Sequence, residues 1–250
     1  MTTHHEDRAR SFSRAAERYG TYRPSYPAEL FDTLEAVSGR PLRGARVADV
    51  GAGTGIATAQ LRDRGARVVG VEPGGGMAAE FRRRLPDVPV VRGDGNRLPL
   101  ADGSLDFLTY GQSFHWTDPA RSVPEAARVL RPGGALALFW NEPDVSVPWI
   151  ADQDARIKAR FGEGWYIADH AIPATDLGLG FTDHTLTWSR TVPVEVHLAK
   201  LSTHSLFLTR GAEGEEFLAS ERAVLTARFP SGEVVEQYAV ALRIAIRHPE

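Results

Sequence analysis

The sequence predicts an α/β protein. Its seven-stranded, mostly parallel sheet should carry helices on both faces, an amino-terminal helical lid and a helical insertion before the last strand. Three observations lead there. Between residues 46 and 141, apolar runs of strand length alternate with helical stretches five times, the pattern of a parallel sheet. The first run, residues 46–50, enters a turn with Gly51, Gly53 and Gly55, a composition that lets backbone pass close beside a ligand. Two further alternating runs, 182–194 and 240–247, complete the sheet, the last as an inserted antiparallel strand.

The elements follow in order. Phe12, Ala15, Ala16 and Tyr19 recur at helical spacing over residues 8–19, and Gly20 is expected to end that helix. Pro24 and Pro27 then force an extended bridge over residues 22–27. A second helix over 28–38 presents Leu30, Phe31, Leu34 and Val37. After the first strand, a helix runs from Ile56 to about Arg64 and stops at Gly65. The second strand closes on Glu72, and Met77, Phe81 and Leu85 mark the next helix. Further strands are read at residues 89–96, 105–110 and 130–141. Residues 142–180 read as helix with loops, including an exposed Gly162–Tyr166 stretch. Helices over 195–209 and 213–228 stand where such a fold builds a substrate cover. The division expected is a helical lid over 1–40 and a sheet domain over 41–250, compact as a whole.

Composition narrows the function. At 250 residues with 42% apolar and 24% charged content, the chain has the size and balance of a globular α/β protein. A formal charge of −3 argues against holding nucleic acid by phosphate neutralisation. Arg82, Arg83 and Arg84 fall on the solvent side of their helix. The absence of cysteine excludes disulfides, a thiolate nucleophile and cysteine-based metal sites. His170, His184, His197 and His204 lack ligand spacing, so no metal is expected. There is no signal-peptide core and no apolar window of membrane-spanning length, so a cytoplasmic enzyme is expected.

The glycine turn and Glu72 together point to a nucleoside. Glu72 lies 21 residues beyond Gly51, the reach of an acid that accepts both ribose hydroxyls. A dinucleotide fingerprint needs its third glycine at position 56, where this chain has Ile56. That weakens a nicotinamide reading.

With Pro89–Asn96, Leu105–Tyr110, Gly111–Trp116 and Leu130–Asn141 following in order, the chain resembles the class I S-adenosylmethionine-dependent methyltransferases, whose sheet is Rossmann-like. The likeness covers at least residues 12–142. The Phe114-His115-Trp116 loop and Arg23-Pro24-Ser25-Tyr26-Pro27 resemble the small-molecule branch that includes trans-aconitate-methyltransferase-like enzymes. The resemblance implies S-adenosyl-L-methionine as cofactor, S-adenosyl-L-homocysteine as product and a small-molecule acceptor as partner. It places Gly51, Ala52, Gly53, Gly55, Glu72, Pro73 and Met77 around the ribose and methionine. Asp94 would meet the adenine amino group, with Gly95 and Asn96 amides facing the ring, and Gly111 and Gln112 complete the cofactor set. Tyr22 or Arg23 would meet the methionine carboxylate, and Asp49 either the ammonium or the glycine loop itself. The run Pro73-Gly74-Gly75-Gly76 is richer in glycine than relatives show, leaving few side chains there for the ribose.

For the acceptor, the expected residues are Tyr19, Phe114, Trp116, Trp140 and Asn141. His115, just past the fourth strand, is the expected general base, with an ordinary pKa of about 6.5. The alternative is a structural histidine. Two other readings stay open: a different displacement at the sulfonium, and a cofactor-binding protein without catalysis.

Overall fold

The computed structural model describes residues 16–163 and 180–248. Phe12, Ala15, His170 and the stretch 164–166 lie outside the described residues. Packing divides the chain into two compact units. The sheet unit contains described residues 25–141, 180–186 and 240–248; the helix-rich unit contains 16–24, 142–163 and 187–239. The boundary near the amino end therefore falls after Pro24 rather than at residue 40.

Seven strands form one sheet: β1 (Arg46–Val50), β2 (Arg67–Val71), β3 (Val90–Val91), β4 (Leu105–Gly111), β5 (Leu130–Pro143), β6 (Phe181–Pro193) and β7 (Glu233–Ile246). Their order is β3-β2-β1-β4-β5-β7-β6. The pairs β1–β2, β1–β4, β2–β3 and β4–β5 are parallel. At the start of β5, Gly133 N–H donates to Arg247 O and Arg247 N–H to Gly134 O, so the end of β7 lies antiparallel to it. The chain leaves β1 toward β2 and β3, then returns to β4 on the other side of β1. That reversal is the switch point, where open α/β sheets bind ligands beyond the strands' carboxyl ends.

In the sheet unit, α2 (Ala28–Ser38) ends at Gly39, whose φ of 62° supplies the left-handed cap. Helix α3 (Ile56–Asp63) stops before Gly65, as the sequence predicts. Helix α4 (Gly75–Arg84) starts inside the glycine run. The alternation of strand and helix fails once. Residues 92–104, between β3 and β4, hold no helix; Arg128 on α5 (Pro119–Val129) ties them down instead. Its guanidinium donates to Leu98 O and Leu100 O and pairs with Asp102 and Glu125. The core gathers Leu108, Leu136, Leu138, Tyr110 and Trp140. Each such side chain contributes about 1.5–3 kcal/mol by leaving water.

The helix-rich unit contains α1 (Ala16–Tyr22), α6 (Pro148–Phe161), α7 (Val194–Leu201), α8 (Ser205–Arg210) and α9 (Ala212–Arg228). Helix α1 continues through Gly20 to Tyr22, two residues beyond the stop expected there. The single helix expected over 195–209 is broken, because His204 is extended (φ −72°, ψ 145°) and begins α8. Its core packs Trp149, Ile157, Leu198 and Phe217. Helix α1 is pinned within this unit by hydrogen bonds from Arg18 to Ser202 Oγ (2.9 Å) and from Arg23 Nε to Thr203 Oγ1 (2.8 Å). Arg190 adds a third, to Tyr22 O at 3.1 Å.

At this unit's centre Glu236, only 1% exposed, collects four donors. His197 Nδ1 and Lys200 Nζ lie 2.6 Å from Oε1; Arg190 Nε at 2.6 Å and Tyr238 Oη at 2.7 Å meet Oε2. Burial pushes the Glu236 carboxyl up, but Lys200, His197 and Arg190 outweigh it and hold the group well below its ordinary range. Strand β7 starts seven residues earlier than the sequence suggests, at Glu233 rather than Val240. The cause is this same carboxylate: a charged residue occupies an inward position between the buried Val234 and Tyr238, while Val235 faces out at 43% exposure, which interrupts the apolar alternation there.

Among the described residues no helix is long and apolar enough to cross a membrane.

Candidate functional site

The glycine turn after β1 is built from residues that only glycine conformations satisfy. Gly51, Gly53 and Gly55 have φ of 65°, 58° and 89°. At Gly51 a Cβ would sit 2.4 Å from Ser113 Cβ, so the turn and the loop after β4 touch backbone to side chain. Ser113 Oγ also donates to Val50 O at 2.5 Å. At Gly53 the surroundings are open, with nothing nearer to a Cβ than Gly51 O at 3.9 Å. Ala52 is buried beneath. Thr54, between the last two glycines, has a buried hydroxyl with no hydrogen-bond partner among the described residues.

Glu72 holds this turn. Its Oε2 accepts from Gly53 N–H at 2.8 Å and its Oε1 from Gly74 N–H at 2.6 Å. Burial raises its pKa, and the two amides and Arg92 oppose that. A carboxylate offers about four acceptor sites, so two backbone bonds leave capacity for hydroxyl donors. Arg92 reaches across to Pro73 O, fixing the following loop. Met77 on α4 is 6% exposed and packs in the core.

Asp49 is 1% exposed inside β1. Thr58 Oγ1 on α3 donates to its Oδ2 at 2.6 Å and Thr109 Oγ1 on β4 to its Oδ1 at 3.0 Å. Both oxygens therefore brace the elements flanking the turn, which favours orientation of the glycine loop over contact with an ammonium. Burial pushes this carboxyl up to about 6, against the two threonine bonds. An acid raised in the folded state loses stability as pH climbs from its unfolded value toward the folded one. From about pH 4 to about pH 6, Asp49 should cost roughly 2–3 kcal/mol. Asp49→Asn is expected to flatten that fall in urea titrations at the two ends; an unchanged pH dependence would reject the raised acid.

After β3, Asp94 Oδ1 accepts from Asn96 N–H (2.9 Å) and Nδ2 (3.0 Å), and Asp94 itself is exposed. Asn96 Oδ1 accepts from Asp118 N–H at 2.7 Å, tying this turn to the start of α5. Gly95 is buried against Thr117 and Tyr110, either of which a Cβ would strike. The loop after β4 completes the arrangement. A Cβ at Gly111 would meet Phe139 at 2.7 Å. Gln112 has φ 57°, the one positive φ outside glycine among the described residues. Its amide donates to Phe139 O and its Nε2 to Asn141 O; such over-determination is what sustains a strained backbone.

Phe114, His115 and Trp116 form a 3-10 turn. Phe114 is buried edge-on against Tyr110, with centroids 5.2 Å apart, as a core residue. Trp140 is buried on β5, and its Nε1–H donates to His115 Nδ1 at 3.2 Å. Asn141 donates to Ser25 O at 3.1 Å, holding the extended bridge rather than standing open. Tyr19, Tyr22 and Arg23 belong to the helix-rich unit, where the Arg23 guanidinium lies 5.0 Å over the Tyr19 ring. Sequence reading misses Ser113, Thr58 and Gln60. Gln60 clamps the backbone of Tyr26 from both sides, accepting from its N–H at 3.0 Å and donating to its O at 2.7 Å.

A parallel sheet with a glycine turn at its switch point, anchored by an acid at the end of β2, is the arrangement in which open α/β sheets place a ligand crevice. The comparisons point to one family: residues 48–138 match the model described as a methyltransferase domain. It is 43% identical over 152 residues to an uncharacterized methyltransferase of Mycobacterium tuberculosis (strain ATCC 25618 / H37Rv), covering 61% of this chain and 60% of that protein. It is 46% identical over 107 residues to a demethylmenaquinone methyltransferase of Beutenbergia cavernae, covering 42% and 44% of the two chains. A solved structure from Anaeromyxobacter dehalogenans, described as a putative Type II methyltransferase, aligns with TM-score 0.67 and 25% identity over 92% of this chain and all of that one. The chain thus spans under two thirds of the length of these curated relatives.

Proposed function

We propose that this protein is an S-adenosylmethionine-dependent methyltransferase acting on a small-molecule acceptor. One observation carries the reading: the Glu72 carboxylate, buried at the end of β2, grips the Gly53 and Gly74 amides on either side of it. The cofactor fits the residues present. Glu72 retains lone pairs for ribose hydroxyls, the space at Gly53 is open, and the Thr54 hydroxyl lacks a partner among the described residues. Asp94, exposed and set by Asn96, suits the adenine amino group. The demethylmenaquinone methyltransferase relative, named for a small acceptor, supports the acceptor class.

Bound S-adenosylmethionine supplies a methyl group already activated by its sulfonium charge. The protein's own tasks are then to bind, to orient the acceptor in line and to exclude water. Asp49, Thr58 and Thr109 stiffen the base of the turn, and Ser113 fixes the loop after β4 beside it. A panel of small acceptors with labelled donor should yield S-adenosylhomocysteine and a methylated product in equal amounts. With donor alone, essentially no methylthioadenosine is expected. Its acceptor-independent release at catalytic turnover would instead mark a non-methylating displacement.

A further inference from the structure

We infer that Gln60 is a positioning residue: it locks the extended segment 25–27 across the carboxyl ends of β4 and β5 as a fixed wall of the ligand crevice, in place before any ligand binds. The inference rests on the methyltransferase reading only for the choice of S-adenosylhomocysteine as probe. Residues 24–27 belong to no helix or strand, so their backbone groups must find partners elsewhere. Pro24 and Pro27 carry no N–H, which leaves Ser25 and Tyr26 to supply the only amides. Gln60 meets both polar groups of Tyr26 at once. Its Oε1 accepts from Tyr26 N–H at 3.0 Å while its Nε2 donates to Tyr26 O at 2.7 Å. A carboxamide carries donor and acceptor side by side as a peptide does, so this contact reproduces one rung of a strand ladder without a strand. Asn141 Nδ2 donates to Ser25 O at 3.1 Å, and Leu30 N–H to Pro27 O at 3.1 Å. Three successive carbonyls are thus engaged.

Each anchor stands where the sheet opens to a ligand. Gln60 lies one helical turn into α3, whose first residue, Ile56, follows the glycine turn directly. On the same helix Thr58 donates to Asp49 at the base of that turn. Asn141 lies near the carboxyl end of β5, and its own O accepts from Gln112 Nε2 at 2.8 Å. One residue therefore holds both the segment and the strained Gln112. The Tyr26 ring, 7% exposed, packs edge-on to Phe139 with centroids 4.7 Å apart. Its Oη lies 3.0 Å from the place a Cβ at Gly111 would take, so glycine at 111 is what lets the segment sit this close to the end of β4. A wall built beforehand adds no ordering cost when a ligand arrives. A loosened one has to be ordered during binding, and affinity falls accordingly.

Amide exchange followed by NMR tests the wall in the ligand-free protein. Tyr26 N–H should exchange about 100-fold or more slowly than in an unstructured chain, and saturating S-adenosylhomocysteine should change that rate less than about threefold. Gln60→Met keeps the side-chain length but offers no amide. It should speed this exchange about tenfold or more and weaken S-adenosylhomocysteine binding by about fivefold or more in calorimetry. Gln60→Glu, which still accepts from Tyr26 N–H but cannot donate to Tyr26 O, should fall between the two and serves if the methionine variant does not fold. Glu35→Met controls for stability alone: it deletes another clamp in the same unit, from Leu42 N–H to Glu35 Oε1 at 2.6 Å, that touches none of these anchors. Its affinity should stay within about twofold of wild type. A Tyr26 amide unprotected until S-adenosylhomocysteine is added would make the segment a lid ordered by the ligand and overturn the inference. So would a loss below about fivefold in Gln60→Met, or an equal loss in Glu35→Met. A wild type that binds no S-adenosylhomocysteine would instead count against the cofactor reading, and exchange in the ligand-free protein would still decide the wall.

Discussion

Glu72→Ala is expected to weaken S-adenosylhomocysteine binding at least tenfold, and it should be the most damaging single change to the cofactor site. Two effects combine. The variant loses hydrogen bonds from ribose hydroxyls to a charged acceptor, worth about 1.5–3 kcal/mol each. It also strands the Gly53 and Gly74 amides, now bonded at 2.8 and 2.6 Å, so the turn is no longer held in its binding shape. Glu72→Gln, which keeps the volume and one carbonyl acceptor, should fall between alanine and wild type. Calorimetric affinity for Glu72→Ala within twofold of wild type would remove Glu72 from the site.

The largest stability effect is expected at Glu236. Removing it leaves Lys200, 5% exposed, and Arg190 without their shared counter-charge, and His197 without its Nδ1 partner. Breaking a buried ion pair from one side costs about 3–5 kcal/mol. In a protein of this length that corresponds to a fall in Tm of roughly 6–20 °C. Thermal and urea unfolding of Glu236→Ala measure it; a loss below about 1 kcal/mol would mean the cluster relaxes or hydrates without penalty. None of these residues belongs to the sheet unit, so the variant also tests how far that unit depends on its neighbour for stability.

What the sequence makes legible is local. Glycine spacing, the acid closing β2 and the periodicity of α2 and α3 are short-range signals, and the structure places them as read. What it hides depends on partners far along the chain. Glu236 lies ahead of the strand read at 240–247, and nothing local marks it as buried until Lys200, 36 positions earlier, and Arg190, 46 earlier, are brought to it. Asp49 reads equally as a partner for the ammonium or as a brace for the glycine loop, because the sequence does not reveal that Thr58 and Thr109 donate to both of its oxygens. Asn141 looks poised for the acceptor, yet Ser25, 116 residues away in sequence, accepts its amide. The missing helix between β3 and β4 is likewise a long-range matter, since Arg128 supplies from α5 the carbonyl partners that a helix would have found within itself.

The three hydrogen bonds that fasten α1 to Ser202, Thr203 and Arg190 have a consequence for inheritance. Residues 16–24 and the stretches 142–163 and 187–239 are far apart in the gene but share one packing unit. Variation in one should be answered in the other, with Arg18 and Arg23 changing in step with the hydroxyls at 202 and 203. A chimera that transplants the later stretch from a relative while keeping this chain's own beginning would join two halves that were never selected together. Moving both segments as a set keeps the matched contacts and leaves the glycine turn, Glu72 and the His115 loop in their native sheet.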